Sequence, residues 1–227
     1  MRDTVTFEAG RTISAQVYSL LRREIIEHRL KPNTRLSEAG LCEIYNVSRQ
    51  PIREVLLRLS GDKLVQVHPQ RGSFVSPVSM CLFHAAQLIR EAVEVEVVSR
   101  LAMTAARPLL DQIEEELELQ ANFAARRDTE RFYSSDERFH SLIASGTGIT
   151  ALWPALLEHK IHLDRVRYMA LSKGLNISDL IGDHQAIFRS LVSRDPAAAQ
   201  NTMRSHLRRA LGHAVSMADE HPDWFSD

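Results

Sequence analysis

The sequence has few of the residues that interrupt helices: its 227 residues include only 9 glycines and 8 prolines. Because turns and irregular loops depend on these two residue types, their scarcity favours a helix-rich chain with few loops. Hydrophobic residues make up 44% of the chain and charged residues 25%, which suits an ordinary soluble core. The length fits one or two domains.

Cysteine is also scarce, and long apolar runs are absent. Cys42 and Cys81 are isolated in the sequence, which argues against a disulfide framework and suggests a reducing compartment. No apolar run approaches the roughly 18 residues that a membrane-spanning helix needs, and residues 1–10 lack the apolar core of a signal peptide. We therefore expect a cytoplasmic protein with no membrane partner.

The formal net charge is only −1, but the charge is unevenly distributed. Residues 1–80 contain 12 Lys and Arg against 8 Asp and Glu, whereas the remainder contains 16 against 21. A basic first part suits a phosphate-binding domain, and an acidic second part suits a body that does not touch nucleic acid.

The most informative stretch, residues 46–59, has the form of a recognition helix. Ser48 suits an N-cap position, and Pro51 falls inside the first turn, where its missing N–H costs nothing. Four apolar residues then recur at helical spacing on one face: Ile52, Val55, Leu56 and Leu59. Arg49, Gln50 and Arg53 lie at the N-terminal tip, where they can reach the major groove.

The surrounding residues predict a small α+β unit with an N-terminal arm at residues 1–12. Helices are expected at residues 13–30, 37–45 and 48–60, with Asn46 in the tight turn between the last two. Residues 64–68 alternate as a strand, 69–72 form a turn and 73–76 a returning strand. Residues 77–79 are interpreted as a linker.

The motif Val-Ser-Arg-x-Pro-x-Arg-Glu-x-Leu-x-x-Leu at residues 47–59 resembles the signature of the GntR family of bacterial transcription regulators. The resemblance extends over residues 13–78 and implies a winged helix-turn-helix at residues 13–76. Two departures, Pro32-Asn33 and Asn46, still suit turns. The resemblance implies a double-stranded, inverted-repeat DNA operator, a homodimer, and these DNA-binding residues: Arg35, Ser48, Arg49, Gln50, Arg53, Arg71 and Gly72.

The rest of the chain predicts helices only. They are expected at residues 80–106, 108–127, 129–145, 149–171, 177–193 and 196–220, followed by a tail at 221–227. The fold class expected is therefore mainly α: three helices and a small β-hairpin, then an all-α antiparallel helical bundle. Six helices behind a winged head resemble the ligand-sensing FCD domain of the FadR subfamily.

Several histidines of this second part are candidate metal ligands. Asp136 and His140 are four residues apart, so one helix face presents both. His184 and His206 lie on other predicted helices, and spacing alone does not connect them to this pair. A solvated or satisfied histidine is the commoner case, and three further histidines compete as ligands: His159, His162 and His213. The first two are expected at the surface or cavity rim.

The FCD resemblance implies that Asp136, His140, His184 and His206 bind one divalent transition metal, with zinc or nickel expected. It also implies that Arg90 faces an effector cavity and binds a small carboxylate effector. The alternative for Arg90 is an exposed arginine paired with Glu91 or Glu94.

The expected function is a ligand-responsive, DNA-binding transcription regulator, with repression relieved by ligand as the commoner pattern. One alternative is a metal-dependent enzyme that uses the Asp/His3 site to activate water. Another is a purely structural DNA-binding protein with an empty bundle. The absence of a convincing general base argues against the enzyme.

Overall fold

The structure is a computed structural model that describes residues 7–172 and 177–227. The chain divides into two compact units. The first comprises the described residues up to Met80 together with Ala218–Asp227, and the second comprises those of Cys81–Met217. The end of the chain therefore belongs to the first unit.

Three helices form the first unit: α1 Ile13–Ile26, α2 Glu38–Tyr45 and α3 Arg49–Gly61. The hydroxyl of Thr12 accepts the N–H of Ala15 at the start of α1. This helix ends four residues before the predicted position, because His28 takes a left-handed conformation (φ 56°) that ends the helix. Asn46 takes the same conformation (φ 51°) between α2 and α3, as predicted.

Three short strands complete the winged fold in the antiparallel order β1-β3-β2. The predicted hairpin is confirmed as β2 (Val65–His68) and β3 (Gly72–Val75). Strand β1 (Arg35–Leu36) pairs with β3, with Arg35 opposite Phe74. The sequence missed β1, because two residues are too short to show an alternating pattern.

A second, two-stranded sheet connects residues that the sequence assigned to a linker and a tail. Strand β4 (Val78–Ser79) runs parallel to β5 (Phe225–Ser226). A short 3₁₀ helix (Pro222–Trp224) precedes β5. The expectation that only helix follows residue 79 is therefore wrong. Strand β5 forms because it pairs with β4, which lies nearly 150 residues earlier in the chain.

The second unit is helical. Its described helices are α4 Met80–Thr104, α5 Arg107–Ala125, α6 Thr129–Ser145, α7 Leu152–His159, α8 Ile161–Ser172, α9 Ile177–Val192 and α10 Pro196–Glu220. The one helix predicted at 149–171 is divided at Lys160, whose ammonium group is buried against Glu137 (2.7 Å) and Asp164 (2.5 Å).

The core of the second unit is continuous across α4, α5, α6, α9 and α10. Its most deeply buried apolar side chains include Val98, Ile113, Phe139, Ile143, Ile187 and Met203. These helices thereby hold the inward-facing side chains of α6, α9 and α10 in fixed positions. Within the described ranges, no helix is both long and apolar enough to cross a bilayer.

Candidate metal centre and DNA-binding surface

Three imidazoles converge in the interior of the second unit. His140 comes from α6, His184 from α9 and His206 from α10, and all three are buried. The Nε2 atom of His206 lies 3.2 Å from Nε2 of His140 and 3.3 Å from Nε2 of His184. Two nitrogens that each bind a metal at about 2.1 Å are separated by roughly 3.0–3.4 Å at ordinary coordination angles. The spacing of the three donors therefore fits a single transition-metal ion.

Asp136 adds a carboxylate to the three imidazoles. It lies one turn before His140 on α6, and its Oδ1 is 3.6 Å from Nε2 of His184. Oδ1 is buried and accepts no hydrogen bond from the described residues, whereas Oδ2 accepts one from Arg167. A buried carboxylate oxygen without a donor is costly unless a cation satisfies it. The predicted four residues are thus brought together, and their chemistry fits zinc or nickel.

The other nitrogen of each imidazole faces a second polar side chain. Nδ1 of His140 lies 2.6 Å from Oε2 of Glu94, and Nδ1 of His184 lies 2.8 Å from Oε1 of Gln120. Nδ1 of His206 is 3.5 Å from Oδ2 of Asp183, a longer contact that is not counted as a hydrogen bond. Such partners hold the rings so that the Nε2 atoms face one another inside the cluster.

Sequence reasoning missed these outer partners. Glu94 was considered only as a partner of Arg90, and Gln120 lies on a helix that carries none of the four candidate ligands. The available signal was weak: Glu94 follows Arg90 by one turn, and Asp183 directly precedes a candidate ligand.

Burial and neighbouring charges set the ionisation of the cluster. Burial lowers the pKa of His184 well below its ordinary value, with a further contribution from His206. Burial likewise lowers the pKa of His206. For Asp136, burial opposes ionisation, but Arg167 and His140 outweigh it and hold the pKa well below the usual range. Neutral imidazoles beside an ionised carboxylate are the forms that bind a divalent metal.

A small cavity of about 40 Å³ adjoins the cluster. It is lined by Asp136 and His206, by three arginines (Arg90, Arg167 and Arg209) and by apolar side chains of which Phe132 and Leu207 are examples. This volume accommodates a few water-sized groups. The lining of the cavity therefore combines guanidinium groups with apolar side chains.

Arg90 combines features of both sequence-based alternatives. Its Nε donates to Glu94, the partner considered for an exposed arginine, yet its side chain is only 4% exposed. Its Nη2 is buried and donates no hydrogen bond to any described residue. Because Arg90 also lines the cavity, this nitrogen is available to an anion there.

The competing histidines lie outside the three-imidazole cluster. His159 is exposed, as expected, but His162 is buried, with burial lowering its pKa to about 4. His213 lines the cavity. Two arginines of α8 differ in their surroundings: Arg167 lines the cavity and contacts Asp136, whereas Arg165 is fully buried and does not line the cavity.

The tip of α3 in the first unit carries the predicted DNA-binding residues. The apolar face of α3 is buried, while Arg49, Gln50 and Arg53 are exposed. Ser48 occupies the N-cap position, but its hydroxyl makes no capping hydrogen bond, which corrects the expected cap. That hydroxyl is exposed and remains open to solvent or to a phosphate.

Two of these exposed groups are held by neighbours. Nε of Arg53 donates to Glu38 of α2 (3.0 Å), and the Gln50 amide donates to Glu54 (3.1 Å). The described residues provide no ion pair for Arg49. The side chain of Arg49 is therefore less constrained by neighbouring residues than the side chain of Arg53.

The wing brings together residues that are far apart in sequence. Gly72 follows the exposed Arg71 at the hairpin turn and has φ 102°, a conformation that favours glycine. A side chain at Gly72 would meet the guanidinium of Arg35 at 3.5 Å. Arg35 therefore lies beside the wing tip, a position that its place before α2 in the sequence did not indicate.

Comparisons with known proteins agree with this architecture. Residues 13–75 match the family described as bacterial regulatory proteins, gntR family, and residues 87–209 match the FCD domain. The chain is 33% identical over 215 residues to the HTH-type transcriptional repressor RspR of Escherichia coli K12, covering 95% of this chain and 94% of that protein. It is 26% identical over 206 residues to the galactonate operon transcriptional repressor of the same organism, covering 79% and 87%.

Solved structures show the same fold. E. coli McbR/YncC superposes with a TM-score of 0.74 at 18% identity, covering 91% of this chain and 99% of that one. A GntR-type regulator from Rhodococcus sp. RHA1, titled a putative transcriptional regulator, has a TM-score of 0.72 at 24% identity, covering 89% and 97%. The two E. coli relatives above are named transcriptional repressors and not enzymes. The chain belongs to the GntR family of bacterial regulatory proteins and is a transcriptional regulator whose second unit is an FCD domain.

Proposed function

We propose that this regulator is a metal-containing repressor that binds an inverted-repeat operator as a homodimer and senses a small carboxylate. The observation that carries the proposal is the cluster of three buried imidazoles beside the Oδ1 atom of Asp136, which accepts no hydrogen bond from the described residues. A buried polar cluster of this kind needs a cation to satisfy it.

The DNA-binding part of the proposal rests on α3 and the wing. Arg49, Gln50 and Arg53 would contact base edges in the major groove, with Ser48 at a phosphate. Arg71 and Arg35 would reach the backbone or minor groove, where the missing side chain of Gly72 permits a close approach. A twofold-symmetric dimer would read two such half-sites.

In the second unit, Asp136, His140, His184 and His206 would bind the metal. When bound, the metal would supply a Lewis-acid centre for an anionic oxygen. Arg90 would donate from Nη2 to the same anion, because Arg90 lines the cavity and this nitrogen lacks an acceptor among the described residues. The guanidinium groups and apolar side chains of the lining suit a small carboxylate with an apolar part.

The direction of response is proposed from the relatives. Two E. coli relatives are named transcriptional repressors. We propose that this chain also represses in the cytoplasm and that carboxylate binding lowers its operator affinity by favouring a second arrangement of the FCD domain.

Two measurements test the proposal. Elemental analysis of freshly purified protein is expected to give about one zinc or nickel per chain, and His206→Ala is expected to remove it while His159→Ala does not. Selection from a pool of random double-stranded DNA is expected to enrich a palindrome. A metal-free protein would contradict the sensing mechanism, and failure to enrich a symmetric sequence would contradict the proposed operator.

A further inference from the structure

Two of the three clustered imidazoles each face a carboxylate that is itself paired with an arginine. Arg90 donates from Nε to Oε1 of Glu94, and the other oxygen of Glu94 lies 2.6 Å from Nδ1 of His140. Arg90, Glu94 and His140 therefore form a chain of hydrogen bonds from the cavity to a proposed ligand. All three side chains are at least 95% buried, so solvent does not screen these interactions.

A second, looser chain has the same composition. Arg209 donates two hydrogen bonds of 2.9 Å to Asp183, and Oδ2 of Asp183 lies 3.5 Å from Nδ1 of His206. Arg209 lines the same cavity as Arg90. By contrast, His184 faces the neutral amide of Gln120, whose Nε2 donates to a backbone carbonyl rather than pairing with a charged group.

We propose that Glu94, assisted by Asp183, is a positioning residue that couples metal binding to anion binding in the cavity. This inference rests on the proposed metal site. An anion that binds Arg90 draws the guanidinium charge away from Glu94, so Glu94 accepts the N–H of His140 more strongly. A stronger acceptor at Nδ1 makes Nε2 a better donor to the metal. Metal and carboxylate then bind with positive, reciprocal coupling.

Zinc affinity, measured by competition with a chromogenic chelator, tests the inference with malonate as the carboxylate. In the wild-type protein, saturating malonate is expected to tighten zinc binding about fivefold or more, and saturating zinc to tighten malonate binding by the same factor. Glu94→Gln is expected to weaken zinc binding roughly 10–100-fold and to abolish most of the malonate effect. Asp183→Asn, in the looser and partly exposed chain, is expected to have a smaller effect of the same sign.

Two controls separate coupling from simple loss of structure. Glu116→Gln makes the same chemical change at an equally buried carboxylate that contacts Ser135 and Arg138 but no imidazole, so both zinc affinity and coupling are expected to persist. Gln120→Met removes the partner of His184, so zinc affinity is expected to fall while malonate still tightens zinc binding. Melting temperatures of the metal-free variants show which of them fold.

The possible failures are distinguishable. A wild-type protein that binds no zinc contradicts the proposed function itself. If the wild type binds zinc but malonate leaves its affinity unchanged, the coupling is overturned. It is also overturned if Glu94→Gln retains the full malonate effect, because the anion would then act through the metal alone. Should Glu94→Gln fail to fold, Asp183→Asn decides by the same criterion.

Discussion

Arg49 and Arg53 share the tip of α3, yet their surroundings differ. Arg53 is 58% exposed and held by Glu38, whereas Arg49 has no ion pair among the described residues. An arginine that is already oriented loses less conformational freedom when it binds DNA. It must, however, give up its ion pair with the carboxylate before it can contact the DNA. Both side chains are exposed, and the ion pair of Arg53 with Glu38 is exposed too, so it adds little to the stability of the fold.

Replacing either arginine by alanine is therefore expected to weaken specific DNA binding without unfolding the protein. A good bidentate base contact contributes about 1–3 kcal/mol, and a symmetric dimer contains two. Anisotropy titration of the selected palindrome at fixed salt measures the loss. Arg100→Ala, which removes an exposed arginine of α4, serves as the control. Unchanged affinity in both variants would show that α3 does not read the bases.

His162 makes an expected contribution to acid sensitivity. Burial lowers its pKa from 6.5 to about 4, so the folded state binds fewer protons than the unfolded state between these values. The contribution of His162 to the free energy of unfolding is then fully present above pH 6.5 and is lost as the pH falls towards 4. His184 and His206 act in the same direction, because burial lowers their pKa values too.

We therefore expect His162→Leu to flatten the pH dependence of stability between pH 6.5 and 4, by at most about 3 kcal/mol. Urea unfolding of chelator-treated protein across this range measures the slope. His159→Leu, at an exposed position, is the matched control and should leave the slope unchanged. Equal slopes for wild type and His162→Leu would assign the acid sensitivity to other groups.

Among the elements, the C-terminal segment Pro222–Ser226 shows the largest departure from expectation. Strand β5 pairs with β4, and the Trp224 ring stacks on His221 (4.3 Å between centroids) and His28 (5.9 Å). The Asn33 amide donates to the carbonyl of Asp223 (2.8 Å). The segment thereby contacts the residues that directly follow α1.

Trp224→Ala is expected to destabilise the first unit by about 1–2 kcal/mol, because the ring is partly buried. Hydrogen exchange should become faster at the amides of Asn33 and of residues 225–226. Met103→Ala, which truncates a 60% exposed side chain in the second unit, should change neither quantity. Unaltered exchange in Trp224→Ala would show that the segment makes no energetic contribution to this unit.

At the scale of the whole molecule, the proposed metal would join three helices of the second unit. The proposed ligands lie on α6, α9 and α10, so metal binding to the folded state alone adds to the stability of all three. The chain passes between the two units at residues 80–81 and again at 217–218. Helix α10 carries His206 and continues to Glu220, next to the segment that packs in the first unit.

Removal of the metal with a chelator is therefore expected to lower the melting temperature of the second unit and to abolish the effect of a carboxylate on DNA binding. At a free metal concentration 100 times the dissociation constant, the metal contributes about 2.7 kcal/mol. Differential scanning calorimetry with and without added zinc measures this effect. His140→Ala should behave like the chelator-treated wild type, and His159→Ala should not. A melting temperature that does not change when zinc or nickel is added would contradict the metal site.

The sequence by itself determined the elements whose signals are local. The apolar spacing of α3, the left-handed Asn46 and the alternating strands of the wing all depend on residues within a few positions of one another. The pair Asp136 and His140 was likewise visible as one helix face. The long helices of the second unit have strong periodic patterns, so their existence was predictable even where their ends were not.

Only the tertiary structure decided which distant residues meet. The convergence of His184 and His206 on His140, the position of Arg35 beside Gly72, and the pairing of β4 with β5 all join residues that no periodic pattern connects. The break at Lys160 depends on where its buried charge finds carboxylates. Local sequence fixes backbone conformation, but packing of the helices selects the partners of buried charges, because such groups are stable only where another element satisfies them.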